Sequence, residues 1–173
     1  MTTTLTSKLS VKSRGLLQEA ITGLGPPKLE YAVELVESLA DGTGASQANK
    51  VGAQPYDIAA GGTLVLDLSN FVSTLTGHSK TIRFTNIKGF LLINKSTASG
   101  EDLVVGANGA DPWSAPFNGE ASSIVELPAD SVLMMTNKIS GWTVTNGSSD
   151  LLLISNPNSN PVSIEVCFVG VGT

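Results

Sequence analysis

The chain has 173 residues, 41% of them hydrophobic but only 14% charged, with a net charge of −5, one histidine and one cysteine. That length suits one domain with an arm, and the acidic balance excludes bulk nucleic-acid binding, which needs a basic footprint. One cysteine excludes an internal disulfide and a zinc cluster of thiolates, one histidine excludes a His-rich metal site, and the charged share lies well below the roughly 25% typical of soluble domains.

Charge is unevenly spread. Residues 1–28 carry Lys8, Lys12, Arg14 and Lys28 against Glu19 alone, a net +3, whereas residues 29–173 carry six basic and fourteen acidic side chains, a net −8. The chain divides on this basis into a basic N-terminal arm, 1–28, and an acidic body, 29–173. "MTTTLTSKLSVKSRGLL" is polar and basic where a signal peptide would be apolar, and no run approaches the roughly 18–20 apolar residues of a membrane span. Neither a leader nor a membrane is expected, and the lone cysteine fits a reducing cytosol. Residues 1–14 read as an extended polar segment. "SRGLLQEAITGLGPP" then sets Leu16, Leu17, Ala20, Ile21 and Leu24 at helical spacing, which predicts about two turns of amphipathic helix, stopped by Gly25-Pro26-Pro27. So short a helix needs a surface to pack on, either its own domain or another subunit.

Strand signals follow Pro27. "LEYAVELVESL" alternates through Tyr31, Val33, Leu35 and Leu39. "ADGTGASQANKVGAQ" reads as a loop of turn residues. "GGTLVLDLSNF" places Leu64, Leu66 and Leu68 on one face, with Val65, Asp67 and Ser69 on the other. "SKTIRFTNIKGFLLINKS" is one long strand or two, bent near Asn86 or Gly89. "EDLVVGANGADPW" is a strand entering a turn, and "SSIVELPADSVLMMTN" is two strands around Pro128-Ala129-Asp130. "GWTVTNGSSDLLLIS" predicts a hairpin turning at Asn146-Gly147. In the last strand Val162, Ile164, Val166 and Phe168 share a face, and Ser163, Glu165 and Cys167 take the other. About nine or ten strands, with turn signals roughly every 8–14 residues and no fixed repeat, predict an all-β antiparallel sandwich or barrel.

Catalytic equipment is sparse. His78, in "LTGHSKT", would have to serve any Ser-His-Asp triad, and no G-x-S-x-G elbow accompanies it, so it reads as a loop residue. Glu34 and Glu37 stand three apart on a strand and face opposite ways. Glu120 and Glu126 flank another strand, which leaves no carboxylate pair for glycoside hydrolysis. "GANGA" lacks the lysine and helix of a phosphate loop, and neither "EDL" nor "GADPW" matches an EF-hand. No catalytic, cofactor-binding or metal-ligating residue is assigned, and a non-enzyme without a cofactor is expected. Trp113, in "DPWSAPF", is a candidate interface or binding aromatic, or else a plug closing one end of the sandwich. Trp142 reads as core. No histidine or basic residue near Cys167 in sequence would activate its thiol.

The order "DGTGASQANKV", "GGTLVLDLSNFV", "IKGFLLINKS", "DLVVGANGADPW", "GWTVTNGSSDLLLISNP", "VSIEVCFVGVG" is similar to small virion structural proteins of tailed bacteriophages. In these an L-x-L-D-L strand, a Lys-led apolar strand ending in Asn, a strand ending V-G, a G-W/Y-x-V strand and a Gly-ended last strand recur in that order. The likeness covers residues 41–172. It implies a jelly-roll-like sandwich that assembles with copies of itself, nearest in role to a capsid decoration (cement) protein. Its partners would be the major capsid protein and itself, as a homotrimer, with no nucleic acid or membrane. It would be made in the bacterial host cytoplasm and placed on the capsid surface of the virion. A tail, neck or baseplate component remains the alternative, and a carbohydrate- or receptor-binding sandwich using Trp113, Tyr31 or Tyr56 a more distant one. Lys8, Lys12, Arg14, Leu16, Leu17 and Ile21 are the expected capsid-docking element. The last strand is expected to pair on both edges, since so apolar a strand left open would invite aggregation.

Overall fold

The computed structural model describes residue 5 and residues 7–18, 28–74, 77–106, 109–120 and 122–173. Strands β1 (Ser7–Gln18) and β2 (Lys28–Asp41) form an antiparallel ribbon, and β3 (Gln47–Ala48) joins the end of β2 in parallel. The body consists of β4 (Lys50–Ile58), β5 (Thr63–Asp67), β6 (Phe71–Ser73), β7 (Lys80–Ile82), β8 (Phe84–Asn94), β9 (Leu103–Gly106), β10 (Ile124–Leu127), β11 (Val132–Thr136), β12 (Trp142–Thr143), β13 (Leu151–Ser155) and β14 (Val162–Gly172).

One sheet runs β11-β8-β14-β4, with β12 also on β8, and the other runs β10-β9-β13-β5. Every pairing in both is antiparallel. Apart from the β9–β10 hairpin, successive long strands alternate between the sheets, which is the double Greek key of a jelly roll. The fold is the all-β antiparallel sandwich that the turn spacing predicts. β14 pairs with β4 on one edge and β8 on the other, as its apolar sequence requires.

The inner faces follow the period-two pattern. Val162, Ile164, Val166 and Phe168 are buried, whereas Ser163 and Glu165 are exposed. The Phe168 ring lies 5.3 Å from Phe71 and 6.1 Å from Phe90, and Phe90 lies 5.7 Å from both Trp113 and Trp142. Each such ring removed from water contributes about 1.5–3 kcal/mol.

Four local expectations are corrected or made more definite. First, Lys50–Ile58, within and beyond the expected loop, is strand β4. It is the edge strand of its sheet, so Pro55 costs the ladder little there. Gly52 stands opposite Phe168, where a Cβ would come within 2.9 Å of the Phe71 and Ile82 side chains. Its turn-like composition thus reflects edge and close packing. Second, the long β7–β8 segment divides at Arg83. The partner register shifts between Val169 and Gly170, leaving Lys88 as the extra residue between Ile87 and Gly89, so a bulge bends the strand between the two positions that the sequence marks. Third, the expected hairpin at Asn146-Gly147 closes with a single bridge, Thr145 to Ser149, before β12 and β13 part to opposite sheets. Fourth, Leu16 and Leu17 are not helical: they belong to β1, paired in register with β2. Twelve paired positions along that ladder outweigh what a marginal two-turn helix can offer. The remainder of the expected helix, residues 19–27, lies outside the described residues.

Asparagines tie one end of the sandwich. Buried Asn156 donates through Nδ2 to the carbonyls of Ile58 (3.0 Å), Ala59 (3.1 Å) and Asn160 (2.8 Å). Buried Asn94 donates to those of Glu101 (2.9 Å) and Leu127 (3.1 Å). These amides bridge the two sheets where the ladders stop. Replacing Asn156 by Ala strips the buried Ile58 carbonyl, and the two partly buried ones beside it, of a donor, and should cost about 1–3 kcal/mol. Exposed Asn160→Ala should stay within about 0.5 kcal/mol. Urea midpoints compare the two, and equal midpoints would remove the structural role of Asn156.

Candidate functional site

The ribbon sorts the expected docking residues by register. Lys8 stands opposite Ser38, Lys12 opposite Glu34, Arg14 opposite Ala32, Leu16 opposite Glu30, and Leu17 opposite Leu29. Ile21 lies outside the described residues. Lys8, Lys12 and Arg14 are spread over about 20 Å of strand β1. At its base the ribbon is anchored by Leu39, buried with Ala48 and Val169, and Leu5 donates its backbone N–H to Asp41 Oδ1 at 3.1 Å.

Both sheets carry apolar rows on their outer faces. On the first, Met134, Leu91, Cys167 and Ala53 stand side by side across all four strands, and Val132, Ile93, Glu165 and Pro55 form the next row. A shallow groove runs between Ala53, Pro55, Thr74, Leu91, Ile93 and Cys167. Glu165, the one charge in these rows, pairs with Lys95 at 3.5 Å. On the second sheet the row is Ile124, Gly106, Leu153 and Val65. Val132, Ile124 and Val65 are 57%, 55% and 50% exposed, so these rows face outward rather than into the core. Sequence reasoning passed over them, although a signal was present. "GFLLI", "VLMM" and "LLLI" are apolar at consecutive positions, and so on both faces of a strand.

Other candidates are structural. Trp113 is fully buried, donates Nε1–H to the Thr143 carbonyl at 3.0 Å and packs on Phe90. It takes the place of a plug, and its ring is not presented to a ligand. His78 is exposed on a loop. Cys167 is half-buried, and burial pushes its thiol up, away from reactivity. Lys88 at the bulge is buried, donates to the Ile139 carbonyl at 2.9 Å, and burial lowers its ammonium below the usual lysine range. Among the described residues, no three His, Cys, Asp or Glu side chains group closely enough to hold a metal.

No protein-family model matches this chain, and no curated protein matches it. Among solved structures it is similar to the crystal structure of the Yersinia pseudotuberculosis-derived mitogen. The identity is 14%, the match covers 70% of this chain and 86% of that one, and the TM-score is 0.36. A likeness so distant says nothing of function.

Asp67 supplies a titratable hold on the first crossover. Its Oδ1 accepts the backbone N–H groups of Ser69 (2.9 Å) and Asn70 (3.0 Å) and the Ser69 hydroxyl (2.7 Å). Partial burial pushes the carboxyl up, but the bonds from Ser69 and Asn70 together outweigh it and hold the carboxyl below its ordinary 3.8. A depressed folded-state value means that the contribution is complete above the ordinary carboxylate range and is lost as pH falls through the folded one. Asp67→Ala should cost about 0.5–2 kcal/mol near neutrality. Its deficit in melting temperature against the parent should shrink below pH 3.8. A deficit unchanged down to pH 2 would show that ionisation contributes nothing.

Proposed function

We propose that this chain is a non-enzymatic structural protein of a tailed-bacteriophage virion, a capsid decoration or cement protein that bridges neighbouring capsomers. Its partners are the major capsid protein and other copies of itself, as a homotrimer on the capsid surface. The observation that carries this reading is the pair of apolar outer faces on a sandwich whose sequence is poor in charge. Such faces mark surfaces that are covered in assembly. The segments that resemble phage virion proteins supply the strands bearing these rows: "TLVLD" is β5, "GFLLIN" lies in β8, "LVVG" is β9 and "VSIEVCFVGVG" is β14.

Cement adds contact area across seams that would otherwise part. Apolar burial contributes about 25 cal/mol per Å² before the cost of association is subtracted. The basic residues of the arm add charge that an acidic partner surface would attract, which speeds encounter more than it deepens affinity. A sugar-binding role has less support, because Trp113 is in the core.

Copy number separates head from tail. Mass spectrometry of the source phage should count this chain on the order of hundreds per particle if it follows the head lattice. A handful per particle would move it to tail, neck or baseplate and overturn the decoration reading. The ribbon is tested by charge reversal in the intact chain, because deleting β1 would leave β2 unpaired. Lys8→Glu, Lys12→Glu and Arg14→Glu together should weaken capsid binding about tenfold or more at low salt, with a smaller difference at high salt. Unchanged binding would remove the arm from docking.

A further inference from the structure

An edge strand turns half of its backbone N–H and C=O groups away from its sheet. The edges here are β11 and β4 in the first sheet and β10 and β5 in the second. Three of them are blunted. In β4, Ala53 donates its N–H to Ser73 Oγ at 3.0 Å, its carbonyl accepts the Thr74 N–H at 3.2 Å, and Pro55 has no N–H to offer. β10 carries Glu126, and β5 ends in Asp67. β11 reads VLMMT and has neither a charge nor a proline.

Bonds at the two ends of β11 fix which of its groups are free. Asn94 donates its N–H to the Ser131 carbonyl at 3.0 Å, and Asn137 donates its N–H to the Lys88 carbonyl at 2.9 Å. In an antiparallel ladder every second pair is bonded, and the register runs unbroken from Val132–Ile93 to Thr136–Gly89. Leu133 and Met135 therefore bond to β8. Val132, Met134 and Thr136 turn their N–H and C=O groups outward, and among the described residues no hydrogen bond reaches those groups. On the inner face, Leu133 and Met135 pack against the core but are only partly covered. The ladder and the cover over the core stop along the same line.

We infer that β11 is a docking edge for an extended segment of a partner protein, which joins the first sheet as a further strand beyond β11. The backbone of that segment bonds to Val132, Met134 and Thr136, and its apolar side chains at alternate positions cover Leu133 and Met135. The segment is uncharged over this span, because the five residues of β11 offer no charge to pair with. It also lacks proline, which would forfeit one of a small number of backbone bonds. The inference goes beyond the virion role proposed above and does not depend on it.

The experiment uses the full chain, immobilised, and a random library of short peptides displayed on yeast. Enriched peptides should alternate apolar and polar residues and lack proline. N-methylation of the peptide nitrogens that face β11 should weaken the best binder about tenfold or more. Met134→Pro should do the same, because proline there removes an outward N–H and leaves the bonds to β8 in place. Near-UV circular dichroism checks the fold, and Val132→Pro, at the first residue of the strand, serves instead should Met134→Pro disturb it. No enriched peptide, enrichment of proline-rich peptides, or binding indifferent to both changes would overturn the inference. So would a multimer of the parent, seen by light scattering, that Met134→Pro dissociates, since the edge would then belong to a second copy.

Discussion

Strand β14 hydrogen-bonds along both edges, to β4 and to β8, and the remaining structure hangs on that double ladder. Its inward residues supply the floor on which Phe71, Phe90 and Trp113 gather. Its outward residues, Glu165 and Cys167, sit at the middle of the first sheet's outer rows. Its Val169 receives Leu39 at the base of the ribbon. One strand thereby couples the core, an outer face and the arm, since period two gives each side of the strand its own partner.

Much of the body was legible because alternation is a direct record of burial. β5, β8, β9, β13 and β14 all lie where apolar residues recur at period two or run together. β4 was illegible for a physical reason. Gly52 and Pro55 are turn formers by composition, yet the first is required by two neighbouring side chains and the second is tolerated by an open edge. β1 was hidden because Leu16 and Leu17 fit a helix and a strand equally well over so short a window. Only the partners, Glu30 and Leu29, which no local pattern reports, decide between them. Among the candidate residues, Lys8, Lys12, Arg14, Leu16 and Leu17 all fall on β1.

Polar residues divide by place. At the ends, Asn94, Asn156 and Asn158 spend their amides on main-chain carbonyls that no ladder reaches, and Asp67 does the reverse for N–H groups at the first crossover. These side chains let a sandwich turn its corners without leaving backbone groups orphaned. The middle of each outer face has almost none of them. The surface is thus polar where the chain turns and apolar where the sheets are broadest.

The two ladders of β14 also set an order of events. β4 and β8 belong to one sheet but make no hydrogen bonds to each other; β8 can pair with β11 and β12 earlier, but its join to β4 waits for β14, which follows both in the chain. During synthesis the first sheet therefore cannot close until the ribosome has released β14, and its halves meet only by closing long loops. Such topologies fold slowly and leave apolar strand edges open meanwhile. The same central strand that makes the finished sheet continuous is the last piece the sheet receives.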